Sequence, residues 1–332
     1  MNPGKYKAYQ VFYENRKYKS EIIEKDFNEL PPGDVIIQVV YSSLNYKDAM
    51  SARGLPGITK SYPHVPGIDA AGYVVDGGSS PYQEGDEVLV TGYDLGVNRD
   101  GGWAQYIRVP SEWIVPLPEK LSFKESMIIG TAGFTAGLSL YELEMNQIRP
   151  DSGDIVVSGA TGGVGMFAVM LLVNQKYSVY ASTGKKNMHD KLRHLGAVDV
   201  ISREELDDKS EKPLLSSRWA AGIDTVGGNI AATMLRSTRV NGCITTCGVV
   251  AGNKLDLTVY PFILRGVKLL GVTSALCPME LRKEIWRRFS NEWRLKNMDA
   301  IAEVTGLTRV DKYIEKLLAG TNKGRVVVDL NI

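Results

Sequence analysis

The sequence predicts an α/β protein of two parts, a small β-barrel and a doubly wound parallel sheet. Three observations predict it. Residues 1 to about 120 hold short β-branched runs broken by Gly- and Pro-rich turns. From about residue 150, short apolar strands alternate with helical stretches. The chain also has 332 residues, two domains' worth at about 150 residues each.

Taken in order, residues 35–41, 71–75 and 87–90 read as strands, because Val, Ile and Leu recur there between turn formers. The clusters Pro31-Pro32-Gly33-Asp34 and Asp76-Gly77-Gly78-Ser79-Ser80-Pro81 separate them, and strands so punctuated suit a barrel. The texture changes after Pro116-Leu117-Pro118, where residues 122–143 read as a helix. Residues 155–158 form a short apolar strand, followed by a Gly-rich turn and a helix from about Gly163 to Asn174. A strand over 178–182, a helix from His189 to Leu195 and a strand over 198–201 come next. Gly196 suits the left-handed position that closes a helix. Right-handed crossovers make such a sheet parallel. Residues 222–226, 242–247 and 267–272 continue the pattern, and the tail strand 324–330 is expected to rejoin the first part. The expected domains are 1–122 with 273–332, and 123–272 inserted between them.

Lys and Arg number 39 against 38 Asp and Glu, a net charge of +1. Neither sign dominates, so neither nucleic acid nor a membrane surface is an expected partner. Apolar content of 44% and charged content of 23% exclude disordered and fibrous classes. The longest apolar run, Met166 to Val173, is well short of the roughly 18 residues a spanning helix needs. The N-terminus is polar from its second residue, so no signal-peptide core is expected, and a soluble cytoplasmic protein is. Cys243, Cys247 and Cys277 match neither a disulfide framework nor a CxxC zinc pattern; structural thiols in a reducing compartment are expected.

Chemistry enters with Gly159-Ala160-Thr161-Gly162-Gly163-Val164-Gly165, set between a strand and a helix. Ala160-x-Gly162-x-x-Gly165 is a variant of the dinucleotide fingerprint, whose glycines let a pyrophosphate approach the backbone at a helix N-terminus. No Gly-Lys-Ser/Thr follows, which excludes a phosphate-cradling ATP loop. The end of the second strand selects the coenzyme. NAD sites place a carboxylate there, about 20 residues past the fingerprint, to bind the ribose hydroxyl. Here the sequence is Ser182-Thr183-Gly184-Lys185-Lys186, two hydroxyls and two ammonium groups that favour the 2′-phosphate of NADPH. The plain alternative is a solvated Lys pair. Arg203, just past the third strand, is a further candidate for the phosphate or adenine side.

Four more segments occur in order: Ser42-Ser43-Leu44-Asn45-Tyr46-Lys47-Asp48, Pro66-Gly67-Ile68-Asp69-Ala70-Ala71-Gly72, Gly130-Thr131-Ala132-Gly133-Phe134-Thr135-Ala136 and Pro261-Phe262-Ile263-Leu264-Arg265-Gly266-Val267. With the Gly-rich turn, they make essentially the whole chain resemble a medium-chain dehydrogenase/reductase of the acrylyl-CoA reductase (YhdH/YhfP) group. The resemblance implies a GroES-like catalytic domain, an inserted Rossmann domain, NADPH as cofactor and a homodimer. The zinc branch of that superfamily has a Cys where Asn45 stands, a His where Ile68 stands and a last ligand matched by Thr131. A carboxamide, an alkyl group and a hydroxyl do not make a zinc site, and no Cys precedes residue 243 for a structural lobe. No metal is expected.

What remains is metal-free reduction of an activated double bond; the resemblance implies a short 2-enoyl-CoA as its substrate, with hydride to the β-carbon and charge developing on the carbonyl oxygen. Asn45 and Tyr46 are the expected catalytic residues. Tyr46 would give the enolate a hydrogen bond or its proton and line the coenzyme; Asn45 would orient substrate or ribose. A local turn for Asn45 and an aromatic wall for Tyr46 are the plain alternatives. Lys47 and Asp48 are expected to pair, and Asp69 to brace the loop or act in a way left open. By resemblance Thr135, Gly248, Val249, Ile263, Ser274 and Asn322 join the coenzyme contacts. His64, His189 and His194 form no triad or metal set, and the last two sit on a solvated helix face. Residues 281–289 read as an amphipathic helix packing Ile and Phe and exposing Arg, with a CoA phosphate site as the alternative. The other functions open to this chain are an NADPH:quinone oxidoreductase acting on small electrophiles and a non-catalytic NADPH-binding sensor.

Overall fold

A computed structural model of the chain describes residues 4–332. These divide into two compact units. One holds the described residues up to Thr131 with Ala275–Ser290 and Asn297–Ile332, and the other holds Ala132–Ser274 with Asn291–Lys296.

The first unit opens on a hairpin that the sequence did not announce, β1 (Lys5–Glu14) and β2 (Lys17–Asp26). Its turn residues Asn15 and Arg16 have φ of 51° and 62°, matching the twist of a two-residue hairpin. β3 (Val35–Leu44) outruns its expected end by three residues and delivers the chain into α1 (Tyr46–Ala52). β4 (Asp69–Asp76), β5 (Glu87–Thr91), β6 (Tyr106–Val109) and β7 (Val115–Pro116) follow. Helix α2 (Phe123–Met145) then leaves the unit, and it is not the single helix the sequence suggests. It breaks at Gly130, with φ 46° and ψ −160°.

In the second unit β8 (Ile155–Val157), α3 (Gly163–Asn174), β9 (Val179–Ser182), α4 (His189–His194) and β10 (Asp199–Ile201) alternate as read. β11 (Trp219–Asp224), α5 (Gly228–Arg236), β12 (Thr238–Thr246), α6 (Tyr260–Arg265) and β13 (Lys268–Gly271) complete it. The six strands lie in the order β10-β9-β8-β11-β12-β13, all parallel. Chain order therefore reverses between β8 and β11, the place where open sheets of this kind bind ligands outside the strand ends. α3 is apolar on all sides, with Met166 through Leu172 buried, as a helix covered by sheet and neighbours must be.

The chain returns to the first unit with α7 (Met279–Ser290), β14 (Ala302–Gly306), α8 (Val310–Leu318) and β15 (Arg325–Asp329). The tail strand rejoins the first sheet as expected. β15 pairs in parallel with β14 and antiparallel with β3, giving the path β14-β15-β3-β4-β5-β7, with β6 also on β3. Val35, Ile37, Val88, Trp103 and Val328 lie in its core. Trp103 Nε1 donates to the Ser43 carbonyl at 3.1 Å, so burial leaves that N–H satisfied.

α7 corrects one expectation. Its arginines do not all face water: Arg282 is fully buried and donates to the Thr91 carbonyl at 2.7 Å, Thr91 Oγ1 at 2.9 Å and the Ala275 carbonyl at 3.2 Å. Its guanidinium also covers the Tyr93 ring, 4.4 Å from the centroid. Arg287 and Arg288 are held by Glu284, so this helix offers no free basic cluster. Removing a buried cation with three acceptors strands those acceptors, so Arg282→Ala is expected to lose about 2–4 kcal/mol in denaturant unfolding. A loss within ~0.5 kcal/mol, as for a surface substitution, would show that the guanidinium does not brace this region.

Candidate active site

In the first unit the segment from β3 into α1 is held by one carboxylate. Asp69, at the start of β4, is fully buried and accepts from Ser43 Oγ, from Asn45 Nδ2 at 2.8 Å, and from Thr131 through its backbone N at 2.9 Å and its Oγ1 at 2.6 Å. Arg325, the one charged residue inside the buried face of β15, donates Nε to the Ile128 carbonyl at 2.8 Å and Nη1 to Asn45 Oδ1 at 3.1 Å. Gly130 is where these groups converge. A Cβ there would lie 2.6 Å from Asp69 Oδ2 and 2.7 Å from Arg325 Nη2, and its φ is left-handed, so no other residue fits.

Asn45 caps α1 and is buried, with both ends of its amide engaged: Oδ1 by Arg325, Nδ2 by Asp69 and by Ser43 Oγ at 3.1 Å. A carboxamide so committed fixes its neighbours rather than reaching for a ligand. Tyr46, the next residue, is 44% exposed and stands as the polar group this rigid base presents.

The expected Lys47–Asp48 pair does not form. Lys47 is exposed, whereas Asp48 is fully buried and accepts from the backbone N of Asn45 at 2.8 Å, Gly67 at 3.1 Å and Ile68 at 2.8 Å. Burial and the Asp69 charge push its carboxyl up to about 7, against the pull of the amides of Asn45 and Ile68. Burial lowers Arg325, while Asp69 and Asp48 hold it up. Two carboxylates face one guanidinium, and the surplus negative charge is one cause of the raised Asp48 carboxyl.

In the second unit the Gly-rich turn has the geometry of a fingerprint. Gly162 caps α3, its N–H donating to the Gly159 carbonyl at 2.9 Å, and the Ala160 N–H donates to the Ser182 carbonyl at 3.0 Å. Gly163 and Val164 open the helix, and at Gly165 a Cβ would meet the Gly159 carbonyl oxygen at 2.3 Å, so helix and turn approach each other only through glycine. Thr161 and Thr183 share a hydrogen bond of 3.2 Å between hydroxyls. Ser182 closes β9, with Oγ 3.3 Å from the Ser202 carbonyl, and the Thr183 hydroxyl accepts from the Lys185 backbone at 3.1 Å. Arg203 is exposed and its guanidinium lies against Gly184, 3.4 Å from where a Cβ would stand. Lys185, half-buried, and Lys186, exposed, open the next turn.

The remaining expected residues are more scattered. Thr135 is buried in α2, its carbonyl accepting from Ser139 Oγ at 2.9 Å. Gly248 packs against the Thr225 carbonyl, where a Cβ would be 1.9 Å away. Val249 and Ile263 are 67% and 66% exposed. Ser274 is half-buried after β13, and Asn322 is half-buried with Nδ2 3.3 Å from the Gly324 carbonyl, before β15. His194 is exposed on α4 and His189 half-buried beside it; His64 is buried in the first unit. Sequence reasoning missed Arg325 and Ser43 and left Asp69 open. The available signal was a lone arginine heading the apolar run Val326-Val327-Val328.

The positions matched to zinc ligands do not suit a metal. Asn45 and Thr131 both spend their polar atoms on Asp69, Ile68 has none, and Arg325 brings a cation to the same spot. Among the described residues no group of three or more His, Cys, Asp or Glu stands together as ligands.

Two family models match the chain: one described as an alcohol dehydrogenase GroES-like domain over residues 31–119, the other as a zinc-binding dehydrogenase over residues 163–291. The second lies outside the segment of Asn45, Ile68 and Thr131, so its description carries no ligands here. The chain is 44% identical over 303 residues to Bacillus subtilis YhfP, whose name proposes a quinone oxidoreductase, covering 91% of this chain and 92% of that protein. It is 37% identical over 318 residues to the acrylyl-CoA reductase AcuI of Ruegeria pomeroyi, covering 96% of each. A crystal structure of the YhdH oxidoreductase of Salmonella enterica in complex with NADP superposes with a TM-score of 0.95 at 39% identity, covering 98% of this chain and 99% of that one. YhfP crystallised with NAD also superposes at 0.95, at 41% identity over 98% and 99%.

The Asp48 carboxyl makes stability depend on pH. With its value raised from 3.8 to about 7, the folded chain keeps a proton that the unfolded chain releases. Its contribution is full below about pH 4 and is lost as pH rises through about 7. Asp48→Asn cannot titrate, so its unfolding free energy is expected to fall less steeply than the wild type's over that window. Urea unfolding at several pH values checks this; parallel slopes would show that Asp48 is ionised throughout.

Proposed function

The chain belongs to the medium-chain dehydrogenase/reductase superfamily, in the group of YhfP, YhdH and AcuI, and from that premise we propose a zinc-independent, NADPH-dependent reductase of the double bond in a short 2-enoyl-CoA. The observation that carries the coenzyme choice is the end of β9. Hydroxyls and cations, and no carboxylate, run from Ser182 to Lys186, with the Arg203 guanidinium against Gly184. A 2′-phosphate is stabilised by such a set and would be repelled by the acid of an NAD site.

In this reading the inserted domain is 123–272, and the barrel is 1–122 with 273–332. Backbone amides from Ala160 through Gly165 would hold the pyrophosphate at the N-terminus of α3. Ser182, Thr183, Gly184, Lys185, Lys186 and Arg203 would hold the 2′-phosphate. Thr135, Gly248, Val249, Ile263 and Ser274 would border the nicotinamide, with Asn322 at the margin. Held there, the nicotinamide would supply a hydride for the β-carbon. Tyr46, exposed at the start of α1, would donate a hydrogen bond to the carbonyl oxygen where charge develops. Asn45, its amide saturated within the protein, acts by fixing the start of α1 and with it Tyr46. The homodimer and the cytoplasmic location belong to the same reading; among the described residues no helix is long and apolar enough to cross a membrane.

A second reading, NADPH:quinone oxidoreduction, draws on the similarity to YhfP. Following NADPH consumption with acrylyl-CoA and with a panel of quinones separates the two: turnover of acrylyl-CoA is expected, and turnover of quinones alone would overturn the substrate class. Failure of every electrophile to oxidise bound NADPH would favour a sensor. The coenzyme choice has its own test. Lys185→Glu with Lys186→Glu is expected to raise KM for NADPH about tenfold or more, from the loss of charge-assisted bonds, with little change for NADH. Equal losses for the two coenzymes would remove the phosphate from this strand end.

A further inference from the structure

Asp224 is a buried carboxylate that no part of the reading above uses, and it stands at the carboxyl end of β11, beside the β8–β11 switch point. Its Oδ1 accepts from Ser158 Oγ at 2.8 Å and from the backbone N of Val226 and Gly227, both at 3.1 Å. Its Oδ2 accepts from the Gly227 N at 3.0 Å and from Thr246 Oγ1 at 2.8 Å. Ser158 directly follows β8 and precedes the fingerprint, and Thr246 ends β12, so one side chain ties together the ends of three adjacent strands.

Both neighbours of this knot lead to loops assigned to the coenzyme. Thr225 donates its N–H to Ser158 Oγ and its Oγ1 to the Ser158 carbonyl, both at 2.9 Å, and with Val226 it lies directly on Gly159. On the other side the Cys247 N–H donates to the Asp224 carbonyl at 3.0 Å, and Gly248 rests on the Thr225 carbonyl. The turn over 225–228 is thus clamped between the fingerprint and the 248–249 loop.

We propose that Asp224 is a positioning residue for dinucleotide binding, setting the spacing between the fingerprint turn and the Gly248–Val249 loop. The inference rests on the coenzyme reading given above. It assigns affinity for the shared dinucleotide body to this knot at β8, β11 and β12, separate from the phosphate discrimination at the ends of β9 and β10. Because NADPH and NADH share that body, the clamp acts on both alike.

The test is coenzyme binding to the full-length protein, read by the fluorescence of NADPH and of NADH, in variants whose folding is checked by circular dichroism. Asp224→Ala is expected to weaken both coenzymes about tenfold, by freeing donors that then seek other partners, and to leave their ratio unchanged. Asp224→Asn, which keeps one acceptor oxygen, should recover part of the loss. Should Asp224→Ala not fold, Ser158→Ala and Thr246→Val each cut one arm of the knot and should each weaken both coenzymes. Unchanged affinity in folded variants would reduce Asp224 to a structural brace, and a changed NADPH-to-NADH ratio would also overturn the proposal. Wild-type protein that binds neither coenzyme would instead overturn the reading on which it rests.

Discussion

The barrel's candidate chemistry depends on keeping the Asp69 carboxylate dry and fully bonded. A buried anion is tolerated only if its lone pairs are occupied, and here Ser43 and Asn45 from one segment and Thr131 from another occupy them. Satisfying one charge therefore fixes the end of β3, the cap of α1 and the break in α2 relative to one another. Arg325 adds the tail of the chain by reaching Ile128 and Asn45 from β15. A polar cluster of this sort contributes modest net stability, because desolvation offsets most of the attraction. Its value is geometric, since removing any one partner leaves a buried group unpaired.

That geometry gathers the side chains of Asn45 and Thr131 onto a carboxylate. A structural cation would gather side chains by attraction to a central positive charge. Here the centre is negative and the gathering groups are hydroxyls, an amide and a guanidinium. The consequence is electrostatic as well. With Asp48 close behind, the cluster carries one more carboxylate than guanidinium, and burial together with the Asp69 charge raises the Asp48 carboxyl. Tyr46 then stands on a base fixed by these hydrogen bonds, a condition under which a donor keeps its direction without reorganising.

Much of this was legible in the chain, and what was not has physical reasons. The Gly163–Asn174 helix and the strands around it were readable because apolar runs and glycines there agree with the fold at every level. The β1–β2 hairpin was not, because its turn is Asn15-Arg16 rather than a glycine pair and most of β2 is exposed. The Gly130 break was hidden because small residues on both sides continue a helical pattern, and only the approach of Asp69 and Arg325 in space demands the kink. The proposed pairing of Lys47 with Asp48 failed for a similar reason. Adjacent charges suggest a pair, but Asp48 points inward, where the backbone amides of Gly67 and Ile68 were invisible to local reading. Long-range hydrogen bonds, unlike periodicity, leave little trace in sequence.

The second unit repeats the same device in a different place. Asp224, like Asp69, is a buried acid at a strand end whose acceptors are filled by hydroxyls and amides of neighbouring segments. In each case the chain uses a carboxylate, which accepts from several directions at once, to set loops that a hydrophobic contact could not hold in one orientation. The difference lies in what is set. Asp69 fixes a helix start that presents one polar side chain, whereas Asp224 fixes the spacing of two loops at the point where strand order reverses. The cations proposed to discriminate between coenzymes, half-buried Lys185 and exposed Lys186 and Arg203, lie elsewhere again, past the ends of β9 and β10. In the proposed reading, affinity, specificity and the polar group offered to substrate thus belong to three groups of residues at different places in the chain, and effects of changes at well-separated sites are expected to add.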